Sequence, residues 1–205
     1  TIASAAEVDS VFPKENSTPP INDECSGAIN LTVNPTLEAI SFVSGTTAGA
    51  TLTQAPLPQT CSEDQQYANA NDVWYSFTAT ATKHFVNFSS ITEEQRWTIL
   101  YNVYSGSECD NLSFVLCRYV GSDPNPALEN LTIGTTYKIR VRFAASENSN
   151  SNTFDISVTT PPLPLNDECN GAIPVAVNPT MQIESFVSGS NLQATYSNIT
   201  GGCSY

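Results

Sequence analysis

Residues 136–144 read TYKIRVRFA, and their alternation decides the fold class. Tyr137, Ile139, Val141 and Phe143 fall on one side of an extended chain, Lys138, Arg140 and Arg142 on the other. A period of two predicts an antiparallel strand with one face in the core and one in water. TFDISVT, residues 153–159, repeats it, with Phe154, Ile156 and Val158 against Asp155, Ser157 and Thr159. DVWYSFTA from Asp72 and WTILYNVYSG from Trp97 are apolar on both faces, as central strands are. Shorter candidates lie at 40–44, 50–53, 85–89, 113–118 and 127–133, separated by turn signals such as YSGSECDN, GSDPNP and TIGTT. TEEQ from Thr92 suits a single helical turn. About eight to ten short strands without a long amphipathic helix predict an all-β, antiparallel, jelly-roll-like β-sandwich.

The chain also repeats itself. INDECSGAINLTVNPT from Ile21 returns as LNDECNGAIPVAVNPT from Leu165, a shift of 144 residues (166 − 22, from Asn22 to Asn166). EAISFVSGTTAGATLTQ from Glu38 is answered by IESFVSGSNLQATYSN from Ile183, and Cys61 by Cys203. A unit of roughly 140 residues is a common domain size. Residues 1–20 therefore read as a linker or the tail of a preceding unit, 21–161 as a complete module, and 162–205 as a proline-rich joint followed by an incomplete second copy. The second copy has no counterpart of DVWYSFTA, so it is expected to need strands from a continuing chain or a neighbouring molecule. The proline-rich stretches PKENSTPP and TTPPLPL are stiff joints that space units apart.

A formal charge of −13, with only seven Lys and Arg, argues against nucleic acid, whose phosphates require cations. No apolar run approaches the roughly 20 residues that span a bilayer as a helix. The chain opens at Thr1 without Met, as expected of a processed chain or a fragment. Six cysteines form an even set with no CxxC spacing: Cys25, Cys61, Cys109, Cys117, Cys169 and Cys203. If the two copies fold alike, Cys25–Cys61 and Cys169–Cys203 are equivalent bridges, which leaves Cys109–Cys117 as a local loop. Bridged cysteines imply an extracytoplasmic setting.

Catalytic patterns are missing. The single histidine, His84, lies in strand-like TKHFVNFSS, and neither HExxH nor GxSxG occurs. Glu93 and Glu94 are adjacent, unlike the opposed carboxylates of a glycosidase. Two constellations carry binding chemistry. Asn22, Asp23 and Glu24, with Asp72, offer hard oxygen ligands for Ca²⁺, against a reading in which Asn22 and Asp23 hold a turn. Trp97, Tyr101 and Tyr104, with Trp74 and Tyr75, offer rings that stack on sugars if displayed, or core packing if not. No cofactor is required by any of these patterns.

NDECSGAI, DVWYSFTA, VYSGSECDNLSFVLC, LTIGTTYKIRV and FDISVTTPPLPLNDEC together resemble the repeated β-sandwich modules of large secreted surface proteins of Bacteroidota. Those proteins are exported by the type IX route and include adhesins and gliding-associated proteins. The module is also similar to the pre-peptidase C-terminal domain, and some sandwiches of that wider class bind calcium near the start of the domain. The resemblance implies a non-catalytic, extracellular module of a tandem-repeat surface protein or filament, with neighbouring copies of itself as partners. The alternative it implies is a carbohydrate- or substrate-binding accessory domain of a secreted hydrolase, with surface glycans as partners.

Overall fold

The computed structural model describes residues 18–36, 40–53, 70–121, 127–144, 152–160, 164–167, 169–179, 186–189 and 194. In chain order its elements are β1 (Ile29–Asn30), β2 (Val33–Asn34), β3 (Val43–Thr46), β4 (Asp72–Thr78), β5 (His84–Ser89), α1 (Glu93–Arg96), β6 (Ile99–Ser105), β7 (Ser113–Tyr119), β8 (Ala127–Leu128), β9 (Thr136–Phe143) and β10 (Thr153–Thr159). They form a β-sandwich. One sheet runs β1-β4-β9-β6-β7; the other runs β2-β10-β5-β8, with β3 also on β10. Among the described residues no helix is long and apolar enough to cross a membrane.

The core lies where the alternation puts it. Val73, Tyr75 and Phe77 of β4, Ile99, Tyr101 and Val103 of β6, and Ile139 and Val141 of β9 face Val86, Phe154, Ile156 and Val158 of the second sheet. The helical turn at TEEQ forms as α1, closed by a capping box in which Gln95 N–H donates to Thr92 Oγ1 and Thr92 N–H to Gln95 Oε1.

Other expectations fail for physical reasons. Arg140 and Arg142 should be wet, yet they are 7% and 2% exposed. The outer face of β4-β9-β6 is covered by a second small cluster, Cys25, Trp74, Tyr104 and Leu112, brought there by residues distant in sequence. Residues 50–53 are not a strand, because side chains take their backbone donors: Thr51 N–H goes to Asp23 and Thr53 N–H to Asp72. The 127–133 strand stops after Leu128, where Asn130 turns to φ 57°. Nor is every pairing antiparallel. β1 lies parallel to β4 and β2 parallel to β10, so residues 29–34 cross from one sheet to the other and close one side of the sandwich. Leu31, 2% exposed, plugs the crossing while its N–H donates to Ser76 O at 2.7 Å.

The cysteine pairing is crossed relative to expectation. Cys25 bonds Cys109, with Cα atoms 5.9 Å apart, so neither Cys25–Cys61 nor Cys109–Cys117 exists. Cys109 sits in the turn between β6 and β7, while Cys117 lies four residues into β7, opposite Asn102. That run along a strand covers about 13 Å, beyond the roughly 7 Å a disulfide tolerates between Cα atoms. Cys117 is itself disulfide-bonded, and not to Cys109. Cys169 is a free, exposed thiol, which removes Cys169–Cys203. Cys61 and Cys203 lie outside the described residues. The repeat showed which cysteines the copies share, not which ones pair.

The first copy opens with a 3-10 turn, Cys25–Gly27, and the second with the same turn, Cys169–Gly171. Asp23 N–H donates to Pro20 O and Asp167 N–H to Pro164 O, both at 3.0 Å. A Cβ on Gly27 would collide with Ile21 O, and one on Gly171 with Leu165 O. The turn is therefore encoded locally, by a glycine that admits the carbonyl of the residue six positions earlier.

Candidate functional site

The acidic residues at the start of the module hold the chain together. Asn22 is 4% exposed and grips the β4 backbone twice: its Nδ2 donates to Trp74 O at 2.9 Å, and Trp74 N–H donates to Asn22 O at 2.8 Å. Asp23 accepts from Thr51 N–H (2.5 Å) and Thr51 Oγ1 (2.8 Å). Asp72 is fully buried and accepts from Thr53 N–H, Thr53 Oγ1, Trp74 Nε1 and Arg140 Nη2. Asp23 thus fastens Thr51 to the leading segment, and Asp72 fastens Thr53 to β4. Among the described residues no three His, Cys, Asp or Glu side chains converge as a metal site would require. Glu24 flanks the turn, exposed.

The aromatic group divides. Trp74, Tyr75, Tyr101 and Tyr104 have no exposed surface; Tyr75 and Tyr101 point into the core, and Trp74 packs outward on Tyr104 with ring centroids 6.0 Å apart. Arg140 lies over the Trp74 ring at 5.9 Å. Only Trp97 is displayed, 63% exposed, with its ring laid against Gly121, where a Cβ would stand 2.6 Å from Trp97 Cδ2. Tyr101 and Tyr104 are therefore not sugar platforms.

His84 is a satisfied core side chain. Its Nε2 accepts from Thr80 and Ala81 N–H at 3.0 and 3.1 Å, and Nδ1 bonds Thr160 Oγ1. Burial pulls its pKa below the ordinary histidine value, against the partly opposing contacts of Thr159 and Ala81. Glu93 and Glu94 form the first turn of α1.

The feature with binding geometry lies elsewhere, at the seam closed by residues 20–29. Here an open cleft of about 570 Å³ runs between the leading segment (Pro20, Ile21, Asn22, Ile29) and the β3–β10 ladder. Asp155, on the outer face of β10, is its charged group. Ser44 Oγ donates to Asp155 Oδ1 at 2.6 Å from one side and Ser90 Oγ to Oδ2 at 2.5 Å from the other, and both hold its carboxyl below the usual carboxylate range. Ser90 reaches it with φ 57°, a left-handed conformation that side chains other than glycine rarely adopt.

Beneath the cleft the Tyr75 hydroxyl lies against Gly45, where a Cβ would overlap it. It is buried without a hydrogen bond of normal geometry. Burial pushes this phenol up to about 12; the nearby Asn22 amide opposes that rise and the Asp155 carboxylate adds to it. The sequence did carry a signal for this place. SFVSG stands at 41–45 and again at 185–189, and its Ser and Gly are Ser44 and Gly45. Ser90 and Asp155 carried none beyond their polar positions.

Residues 21–156 match a family model described as galactose binding domain-like, associated with type IX secretion. No curated protein and no solved structure matches the chain. The matched span opens at the leading turn and ends inside β10, so it takes in every strand that frames the cleft. Two packed sheets and a match over most of the sequence lead to one conclusion: the chain belongs to the galactose binding domain-like family associated with type IX secretion.

Proposed function

We propose that this is a non-catalytic, extracellular binding module that takes a glycan in the seam cleft, as part of a secreted surface protein. The observation that carries the reading is the Asp155 carboxylate, aimed by two hydroxyls and set beside the apolar side chains of Ile21 and Ile29. A sugar presents both complements, hydroxyl donors for a carboxylate and a C–H face for apolar side chains. Small-molecule sites typically combine an apolar lining with a few placed polar groups. Family membership supports a binding module exported by the type IX route. Adhesion follows if the glycan is on another surface, and tandem units would supply reach. An accessory role beside a hydrolase uses the same chemistry.

A glycan array followed by calorimetry tests this. Asp155→Asn should weaken the best ligand by about tenfold or more, since a hydrogen bond to a charged group is worth about 1.5–3 kcal/mol. Trp97→Ala should leave affinity unchanged. Loss of binding in Trp97→Ala, with Asp155→Asn unaffected, would move the site to the exposed indole and end the cleft reading.

A further inference from the structure

We propose, resting on the glycan reading above, that the seam cleft selects amino sugars. The ligand's ammonium group sits on the Asp155 carboxylate and its C–H face on Ile21 and Ile29. Hydrogen-bond donors and acceptors point this way. An ionised carboxylate accepts at about four lone-pair positions. Among the described residues, Ser44 Oγ fills one on Oδ1 and Ser90 Oγ one on Oδ2, so each oxygen keeps an open position. Both hydroxyls are exposed, and each spends its single hydrogen on Asp155. These three side chains therefore offer a ligand lone pairs alone. A sugar hydroxyl brings one hydrogen to such a site, whereas an ammonium group brings three and a full charge.

The charge of Asp155 is also unmet. Ion pairs among the described residues join Lys83 to Glu129, Arg96 to Glu93 and Arg140 to Asp72, and no described Lys or Arg lines the cleft. Asp155 is half-exposed, and the two hydroxyls that hold its carboxyl below the usual range keep it ionised at mildly acidic pH, where amino sugars are cations. The Tyr75 phenol beneath, pushed up to about 12 by burial, stays neutral. With a formal charge of −13, the field of the whole chain adds to the attraction for a cation and opposes uronate or sulfated sugars.

The apolar part of the cleft requires more than a cation. Ile21 is 84% exposed beside this carboxylate, with Ile29 next to it along the same lining. A bare ammonium ion leaves that surface in water, whereas a pyranose ring covers it. Thr46 and Thr153 add hydroxyls for the remaining polar groups of the ring.

The test titrates the full chain, followed by amide NMR at mildly acidic pH, with two series of methyl glycosides. One is glucose, glucosamine and N-acetylglucosamine; the other is galactose, galactosamine and N-acetylgalactosamine. Within a series only the C2 group changes, from hydroxyl to ammonium to acetamide. In one series at least, the ammonium sugar should bind about three- to fivefold more tightly than its two counterparts, the scale of a half-exposed ion pair. Asp155→Asn should erase that preference. Asp110→Asn removes the same charge from the exposed β6–β7 turn, outside the cleft lining, and should leave the preference intact. Equal binding of the hydroxyl and ammonium sugars would overturn the amino-sugar assignment while the glycan reading stands. A preference that survives Asp155→Asn, or falls equally in Asp110→Asn, would overturn it as an effect of net charge. Lysine amide binding as tightly as the amino sugar would overturn it by showing that the ring adds nothing. If no sugar of either series shifts the cleft resonances, the glycan reading falls with it.

Discussion

Arg140 donates to Asp72 at 2.5 Å inside the protein, on the strand face that the sequence marks as wet. The two are diagonal neighbours across β9 and β4, since Arg140 stands directly opposite Trp74 and Asp72 opposite Arg142. Removing one partner strands a buried charge. Asp72→Ala is therefore expected to destabilise the fold by about 3–5 kcal/mol, measured by urea denaturation. Adding Arg140→Met to that variant should recover part of the loss. A smaller loss than about 1 kcal/mol would mean that Arg140 finds water on unpairing.

Metal removal follows from the same geometry. Asp72 and Asp23 already accept from Arg140, Trp74, Thr51 and Thr53, so EDTA should leave the melting temperature unchanged. Calcium-dependent melting would show that the carboxylates exchange those partners for an ion.

The disulfide fastens the leading turn to the tip of the β6–β7 hairpin across 84 residues. Closing so long a loop restricts the unfolded chain, worth on the order of 4–5 kcal/mol in the chain-entropy model. Cys25→Ser with Cys109→Ser should lose stability on that scale, and non-reducing peptide mapping should recover Cys25 with Cys109. Recovery of Cys25 with Cys61 would contradict the packing over Trp74.

The inward halves of β4, β6, β9 and β10 were legible because alternation is a local property of the chain. Burial of the outward halves was not, because its cause is remote: residues 22–28 and 109–112 fold across Arg140 from far away in sequence. Disulfide pairing failed for the same reason. Cys25 and Cys61 share a repeat, but the sheet brings Cys109, not Cys61, to Cys25. The cleft joins β3, β5 and β10 with the leading segment, so its parts meet only in the folded chain. Only the recurrence of SFVSG marked its floor beforehand.

His84 makes a pH prediction with a definite sign. Its Nε2 accepts two backbone N–H groups, so protonation there would set a cation against donors. With its folded pKa below the unfolded value near 6.5, the unfolded chain binds the proton more readily. Its contribution is complete above about pH 6.5 and is lost as pH falls from there through the folded pKa. The melting temperature should therefore decline below neutrality, and His84→Gln should flatten that decline. As the chain has no other histidine, the slope is assignable.

The floor of the cleft gives a double-mutant test of one contact. A Cβ on Gly45 would overlap the Tyr75 hydroxyl and approach Phe154 Cζ to 2.9 Å. Gly45→Ala should therefore destabilise the protein, by about 1–3 kcal/mol as overpacking does. Tyr75→Phe removes a buried hydroxyl that satisfies no normal hydrogen bond, so alone it should be neutral or stabilising. Combined, the phenylalanine vacates the space the new methyl group needs, and the pair should cost less than the sum of the singles. The residual cost should be the Phe154 contact, which the second substitution leaves in place. Additive effects in chemical denaturation would show that Gly45 is required for its backbone rather than for the approach of Tyr75, and that the cleft floor is not set by this contact.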